Sequence, residues 1–105
     1  MKERAMYDMA NVKKIKSMKE AAPDVMAAFT AFDAAAFKDG AISVKVKELI
    51  AVAVAVTTQC PYCIEIHAKR AKAAGCTDAE LTEATMVAAA LRAGGAVTHA
   101  THAIG

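Results

Sequence analysis

Apolar positions recur along this chain at three- and four-residue intervals, in successive blocks. In the first block Met6, Met9, Val12, Ile15 and Met18 are set among lysines and other polar residues. Side chains three and four apart share one helix face, so residues 2–19 are expected to be helical. Pro23 suits the first turn of a second helix, where a missing N–H costs nothing. Val25, Phe29, Phe32 and Phe37 then fall on or near one stripe, and Gly40 is the expected stop.

The third block, "VKVKELIAVAVAVTTQ", carries conflicting signals, with Ser43 able to cap it. Val52, Val54 and Val56 alternate as in a strand. The alanines between them favour helix and are depleted in strands. A run of about sixteen residues is long for a strand and ordinary for a helix. The expectation is a helix buried nearly all round. Pro61 then fits the first position of a fourth helix, with Cys60 as its N-cap and Gly75 just past its end. Thr77 and Glu80 have the Thr-x-x-Glu spacing of a capping box, opening a helix toward Arg92. Gly94 and Gly95 are expected to break it, leaving "AVTHATHAI" as a short final helix. With no linker or internal repeat, residues 1–105 are expected to form a single all-α domain.

Composition adds an expectation about assembly. Of 105 residues, 56% are AVILMFWYC and only 5% are aromatic. A short chain buries a modest fraction of its surface alone, so this much apolar side chain suggests a core shared between subunits. The net charge of +2 argues for neither nucleic acid nor an anionic membrane as partner. The apolar run at residues 49–56 is too short to span a membrane. The stretch "MKERAMYDMANVKK" lacks the apolar segment of a secretory signal, so a cytoplasmic location is expected. Three cysteines are an odd number and too few for a secreted disulfide framework. A close pair then reads as redox or metal chemistry.

That pair lies in "TTQCPYCIEIH". With residues 61–74 helical, Cys60, Cys63 and His67 stand at i, i+3 and i+7 on one face of the helix's N-terminal end. A thiolate at an N-cap accepts first-turn N–H groups and is favoured by the helix dipole, which acts most directly on Cys60. His67, one turn past Cys63, can exchange a proton with that sulfur. Two thiols at this spacing can close into a disulfide, as disulfide exchange or a peroxide-to-disulfide cycle requires. Glu48 opens the apolar run on the side that meets the dithiol if the two helices pack. A carboxylate buried there needs a partner, and a His67 ring nitrogen or a bridging water would serve. Two readings compete: an inert, packed Cys-x-x-Cys, and zinc held by Cys60, Cys63, His67 and a fourth ligand. Cys76 reads as a small buried hydrophobe, His99 and His102 as surface or subunit contacts, and Glu65–Lys69 as an i, i+4 ion pair on a solvated face.

Glu48, Cys60, Cys63 and His67 together read Glu-x₁₁-Cys-x₂-Cys-x₃-His. Around them stand the apolar helix before the dithiol, the basic helix after it, Gly75, the Thr-Asp-x-Glu cap and the Gly-Gly pair. Over residues 25–104 this resembles the alkylhydroperoxidase D-like branch of the carboxymuconolactone decarboxylase superfamily. The resemblance implies an all-α fold, assembled as a homotrimer or homohexamer with helices packed across subunits. It implies a thiol-dependent peroxidase or disulfide reductase acting on a hydroperoxide or disulfide. An external dithiol (lipoyl, thioredoxin-like or a small thiol) would re-reduce it, with no cofactor and no metal. In that reading Cys63 attacks the peroxide, His67 and Glu48 move its proton, and Cys60 is the more exposed, resolving thiol. Tyr62 departs from the pattern: alkylhydroperoxidase D carries a histidine there, and a phenol titrating near pH 10 cannot replace it as a base. The departure leaves the reductant open. A lyase of the carboxymuconolactone decarboxylase type is the alternative enzyme, although those enzymes lack the paired cysteines. A redox or metal-binding oligomer is the non-enzymatic alternative. The tetrapeptide Cys-Pro-Tyr-Cys is also that of glutaredoxins. A thioredoxin fold would place it after the first strand and oppose it with a cis-proline. Residues 1–59 precede it here, and neither Pro23 nor Pro61 can serve.

Overall fold

Asp8 opens the first described element by accepting the Ala10 N–H on its carboxylate at 3.0 Å. The computed structural model describes residues 7–105, so Met6 and the start of the expected first helix lie outside the described residues. The chain divides into two compact units, the first ending at Val44 and the second Lys45–Gly105.

In the first unit the expected single helix is two pieces. A 3₁₀ segment, Met9–Lys14, leads into α1, Ile15–Ala21. The break after α1 is caused by Pro23. Its ring disfavours helical geometry in the residue before it, and Ala22 sits at φ −138°, ψ 69°. Pro23 then begins α2, Pro23–Ala36, against which α1 packs. This helix ends before Gly40. Phe37 closes it in a right-handed conformation, its N–H donating to the Asp33 carbonyl at 3.2 Å. Gly40 instead donates to the Ile42 carbonyl in the next turn. Val25, Phe29 and Phe32 form the expected stripe, and all three are exposed.

The second unit holds α3 (Val44–Thr57) from its second residue on, α4 (Pro61–Ala73) and α5 (Asp78–Ala100), and then a 3₁₀ turn, Thr101–Ala103. No strand occurs among the described residues, so the fold is all-α. The alternating valines of α3 are helical, as length and alanine content argued. The helix is not buried all round, however. Glu48, Val52 and Ala55 face inward, whereas Val46, Ile50 and Val54, four apart on the opposite side, stay exposed, Val54 at 54%. The core that covers the inner side is thin: Val52, Ala71 and Cys76, with Leu49, Val56 and Leu81 packed against them.

A second correction concerns α5, which runs without a break through Gly94 and Gly95 for 23 residues. Each glycine costs the helix about 1 kcal/mol relative to alanine, too little to end it among strong helix formers such as Leu91, Arg92 and the flanking alanines. Neither glycine takes a left-handed conformation, and an added Cβ would meet nothing within 4 Å at either. The expected final helix is therefore the end of α5. Its start is as expected: Thr77 Oγ1 accepts the Glu80 N–H at 3.1 Å, and Glu80 Oε1 accepts the Thr77 N–H at 2.9 Å.

The turns that close α3 and α4 share one design. Past α4, Gly75 is left-handed at φ 95°, its N–H donating to the Lys72 carbonyl at 3.0 Å and the Cys76 N–H to Ala71 at 2.9 Å. This pair of bonds is a Schellman cap. Past α3, Gln59 is left-handed at φ 55°, and the Cys60 N–H reaches back to the Ala55 carbonyl at 3.1 Å. Each turn thus places a cysteine directly after its left-handed residue.

Candidate active site

Cys60 leaves the α3 turn in an extended conformation and is at once the N-cap of α4. Pro61 stands at the first helical position and supplies no N–H. The Cys60 sulfur accepts the Cys63 N–H at 3.3 Å, and its carbonyl accepts the Ile64 N–H at 3.0 Å. The Cys63 thiol, hydrogen-bonded to the Cys60 sulfur, is the largest influence holding the Cys60 thiol below its ordinary range. The Cys63 and Tyr62 N–H groups add to it, against the opposing effect of burial. The same contact, then burial and the Cys60 charge, pushes the Cys63 thiol up. Of the two sulfurs, Cys60 is the one that carries negative charge first.

The exposures run opposite to the expectation carried over from the resemblance. In this chain Cys63 is exposed and Cys60 half-buried. The Cys60 backbone is tied into the end of α3 by its bond to the Ala55 carbonyl.

His67, two turns into α4, and Glu48, in the second turn of α3, meet across the unit. His67 Nδ1 lies 2.8 Å from Glu48 Oε2. Glu48 is only 4% exposed, and it is the one buried charged residue among those described. Its burial demanded a partner, and a histidine ring nitrogen is that partner. A carboxylate oxygen only accepts, so Nδ1 carries the hydrogen and Nε2 is the basic nitrogen of the neutral ring. Cys63 and His67 are four apart on α4 and so share a face. All four residues singled out by spacing thus lie on α3 and α4 or at the turn that joins them.

Sequence reasoning missed Gln59. Glycine or asparagine is the usual signal for a left-handed helix end, and neither is present. It also missed the pairing of Lys45 Nζ with Glu80 Oε2 at 3.0 Å. The Thr77 N–H, the larger cause, and that contact together hold the Glu80 carboxyl below its usual range. Cys76 is buried, 6% exposed, with its thiol 3.6 Å from the Lys45 carbonyl. Burial, then the charge of Glu80, pushes its thiol up. His99 donates from Nδ1 to the Gly95 carbonyl at 3.0 Å, and its ring lies 6.0 Å from that of His102, on an exposed stretch. Lys69 and Glu65 pair at 3.5 Å. Among the described residues no three His, Cys, Asp or Glu side chains are placed to hold a metal ion. None of their helices is long and apolar enough to cross a membrane.

The model of the carboxymuconolactone decarboxylase family matches residues 23–104. The chain is 51% identical over 77 residues to uncharacterized protein 4 in the cox locus of Paracoccus denitrificans, covering 73% of this chain and 69% of that one. A crystal structure of a protein from Methanobacterium thermoautotrophicum superposes with a TM-score of 0.78 at 38% identity, covering 84% of this chain and 99% of that one. A crystal structure of a carboxymuconolactone decarboxylase family protein from Legionella pneumophila superposes with a TM-score of 0.72 at 36% identity, covering 76% and 71%. Sequence and fold agree on the conclusion: this chain is a member of the carboxymuconolactone decarboxylase family.

Proposed function

We propose that this protein is a thiol-dependent peroxidase or disulfide reductase of the alkylhydroperoxidase D-like branch. One observation carries the reading: two mutually hydrogen-bonded thiols at a helix N-terminus, on the same helix as a histidine held by a buried carboxylate. A thiolate attacks the distal oxygen of a hydroperoxide, the O–O bond breaks, and the leaving alkoxide takes a proton to become the alcohol. The sulfur is left as a sulfenic acid. The partner thiol attacks it, water leaves, and a disulfide remains. An external dithiol restores both thiols by two exchange steps. His67 Nε2 is the group suited to move protons, with Glu48 fixing the ring and stabilising the imidazolium. The resemblance assigns the first attack to Cys63, while the resting charge favours Cys60.

The working form is a homo-oligomer, in which other subunits cover the row Val46, Ile50 and Val54 of α3. They also cover the α5 row Met86, Val87, Leu91 and Val97, where Leu91 is 76% exposed. A dithiol cycle also suits a reducing compartment such as the cytoplasm.

Turnover of alkyl hydroperoxides with lipoyl, thioredoxin-like and small-thiol reductants tests the function. Thiol titre should fall by two per peroxide consumed. Trapping the sulfenic acid in Cys60→Ser and Cys63→Ser identifies the attacking sulfur. A peroxide reaction rate unchanged in both variants would overturn the proposal.

A further inference from the structure

The first turn of α4 is capped by a sulfur, where Ser, Thr, Asp or Asn is usual. The donors at this helix start can be traced one by one. The Cys60 N–H belongs to the Ala55 carbonyl, Pro61 has none, and the Ile64 N–H goes to the Cys60 carbonyl. Of the two that remain, the Cys63 N–H turns to the Cys60 sulfur at 3.3 Å, and the Tyr62 N–H favours negative charge on that sulfur. The atom that would carry the redox chemistry therefore also holds the helix end. α5 of the same unit is capped by the Thr77 hydroxyl and the Glu80 carboxylate, groups with no redox chemistry.

We propose that oxidation of Cys60 and Cys63 to a disulfide uncaps α4, so that its first turn opens in the oxidised protein and closes again on reduction. The two thiols give up two protons and two electrons to the oxidant, and an S–S bond forms. With a hydroperoxide as oxidant, the products are an alcohol and water. The Cys60 sulfur thereby loses its thiol proton and its access to the thiolate form, and becomes a neutral disulfide sulfur, a weak acceptor. The Cys63 N–H loses its acceptor, and the positive end of the helix dipole loses a group able to carry negative charge. Gln59, already left-handed, stands next to the freed residue as the joint. Opening has a use: thiol–disulfide exchange needs access to a sulfur, and a loosened turn gives a reductant that access. The inference rests on the dithiol of the proposed function, although not on peroxide as its oxidant.

The test is amide hydrogen exchange by NMR on the full chain, reduced with dithiothreitol or oxidised with diamide. Exchange of the Tyr62 and Cys63 amides should quicken about tenfold or more on oxidation, while the Glu80 amide, held by Thr77, stays unchanged. Cys60→Asp retains an anionic cap that diamide cannot oxidise, and its Cys63 amide should stay slow with or without diamide. Equal exchange at Cys63 in both states of the wild-type chain would overturn the inference. So would equal acceleration at Glu80, which would mean general loosening. Hydroperoxide turnover is a separate measurement: its absence would remove the proposed function and leave an exchange difference under diamide standing.

Discussion

The turns after α3 and α4 are built alike and do opposite things with the cysteine they carry. Both place a left-handed residue past the helix, and both send the next N–H back to a carbonyl of the helix's last turn. After α4, Cys76 continues into the core beside Val52 and Ala71, and its thiol resists ionisation. After α3, Cys60 is met at once by Pro61 and a new helix, whose Cys63 thiol first, and then its first-turn N–H groups, favour the Cys60 thiolate. One backbone motif thus yields a thiol that resists ionisation and one that favours it. The difference lies in the residue after each cysteine. Pro61 starts a helix at once, whereas Thr77 stands between Cys76 and α5 and takes over the capping.

The largest test of this contrast is activity. Cys60→Ser should lower peroxide-dependent turnover by about a thousandfold or more, as loss of a reacting group does, whereas Cys76→Ser should leave it within about twofold. Alkylation with pH comes next. The Cys60 thiol ionises below its ordinary range, drawn down first by the Cys63 thiol, and the Cys76 thiol above it, through burial. At pH 7, mass spectrometry should find Cys60 labelled at least about a hundredfold faster, since Cys76 is buried as well. The linkage to stability has opposite signs. The depressed Cys60 value contributes stability that is present above the unfolded thiol value and lost as pH falls through the folded one. The raised Cys76 value contributes stability below the unfolded value that is lost as pH rises through the folded one. Urea midpoints of Cys60→Ser and wild type should therefore converge as pH is lowered from about 9 to about 6.

His67→Ala removes the partner of a buried carboxylate and should cost about 3 kcal/mol in urea unfolding, with Glu48→Gln restoring part of it in the double variant. Equal stability of the single variant and wild type would separate the α3–α4 junction from the packing argument. The turns themselves give the smallest effects. Gly75→Ala forces a side chain into a left-handed residue and should cost about 1 kcal/mol or more. Gln59→Gly should change stability by less than about 0.5 kcal/mol, because relief of the left-handed penalty is offset by a freer unfolded chain. A large loss in Gln59→Gly would show that the two turns are not equivalent after all.

How much could be read along the chain depended on how local each cause was. Pro23 and Pro61 marked helix starts, and Thr77 with Glu80 marked a third, because caps are decided within four residues. Gly75 marked a left-handed end for the same reason. Gly94 and Gly95 misled, since a glycine weakens a helix without stopping it when its neighbours are leucine, arginine and alanine. Gly40 misled for the opposite reason, as α2 had already closed at Phe37 before reaching it. Gln59 could not be foreseen: its left-handed geometry is imposed by the Cys60–Ala55 bond and the need to start α4 at once.

The all-α class, the Cys60 cap and the spacing that puts Cys60, Cys63 and His67 on one face were legible along the chain, because helical periodicity and capping are short-range rules. It took the packing of the helices to bring Glu48 to His67, to leave Cys63 more exposed than Cys60, and to leave one side of α3 bare. Those outcomes depend on which faces of separate helices meet, which no local pattern of residues fixes.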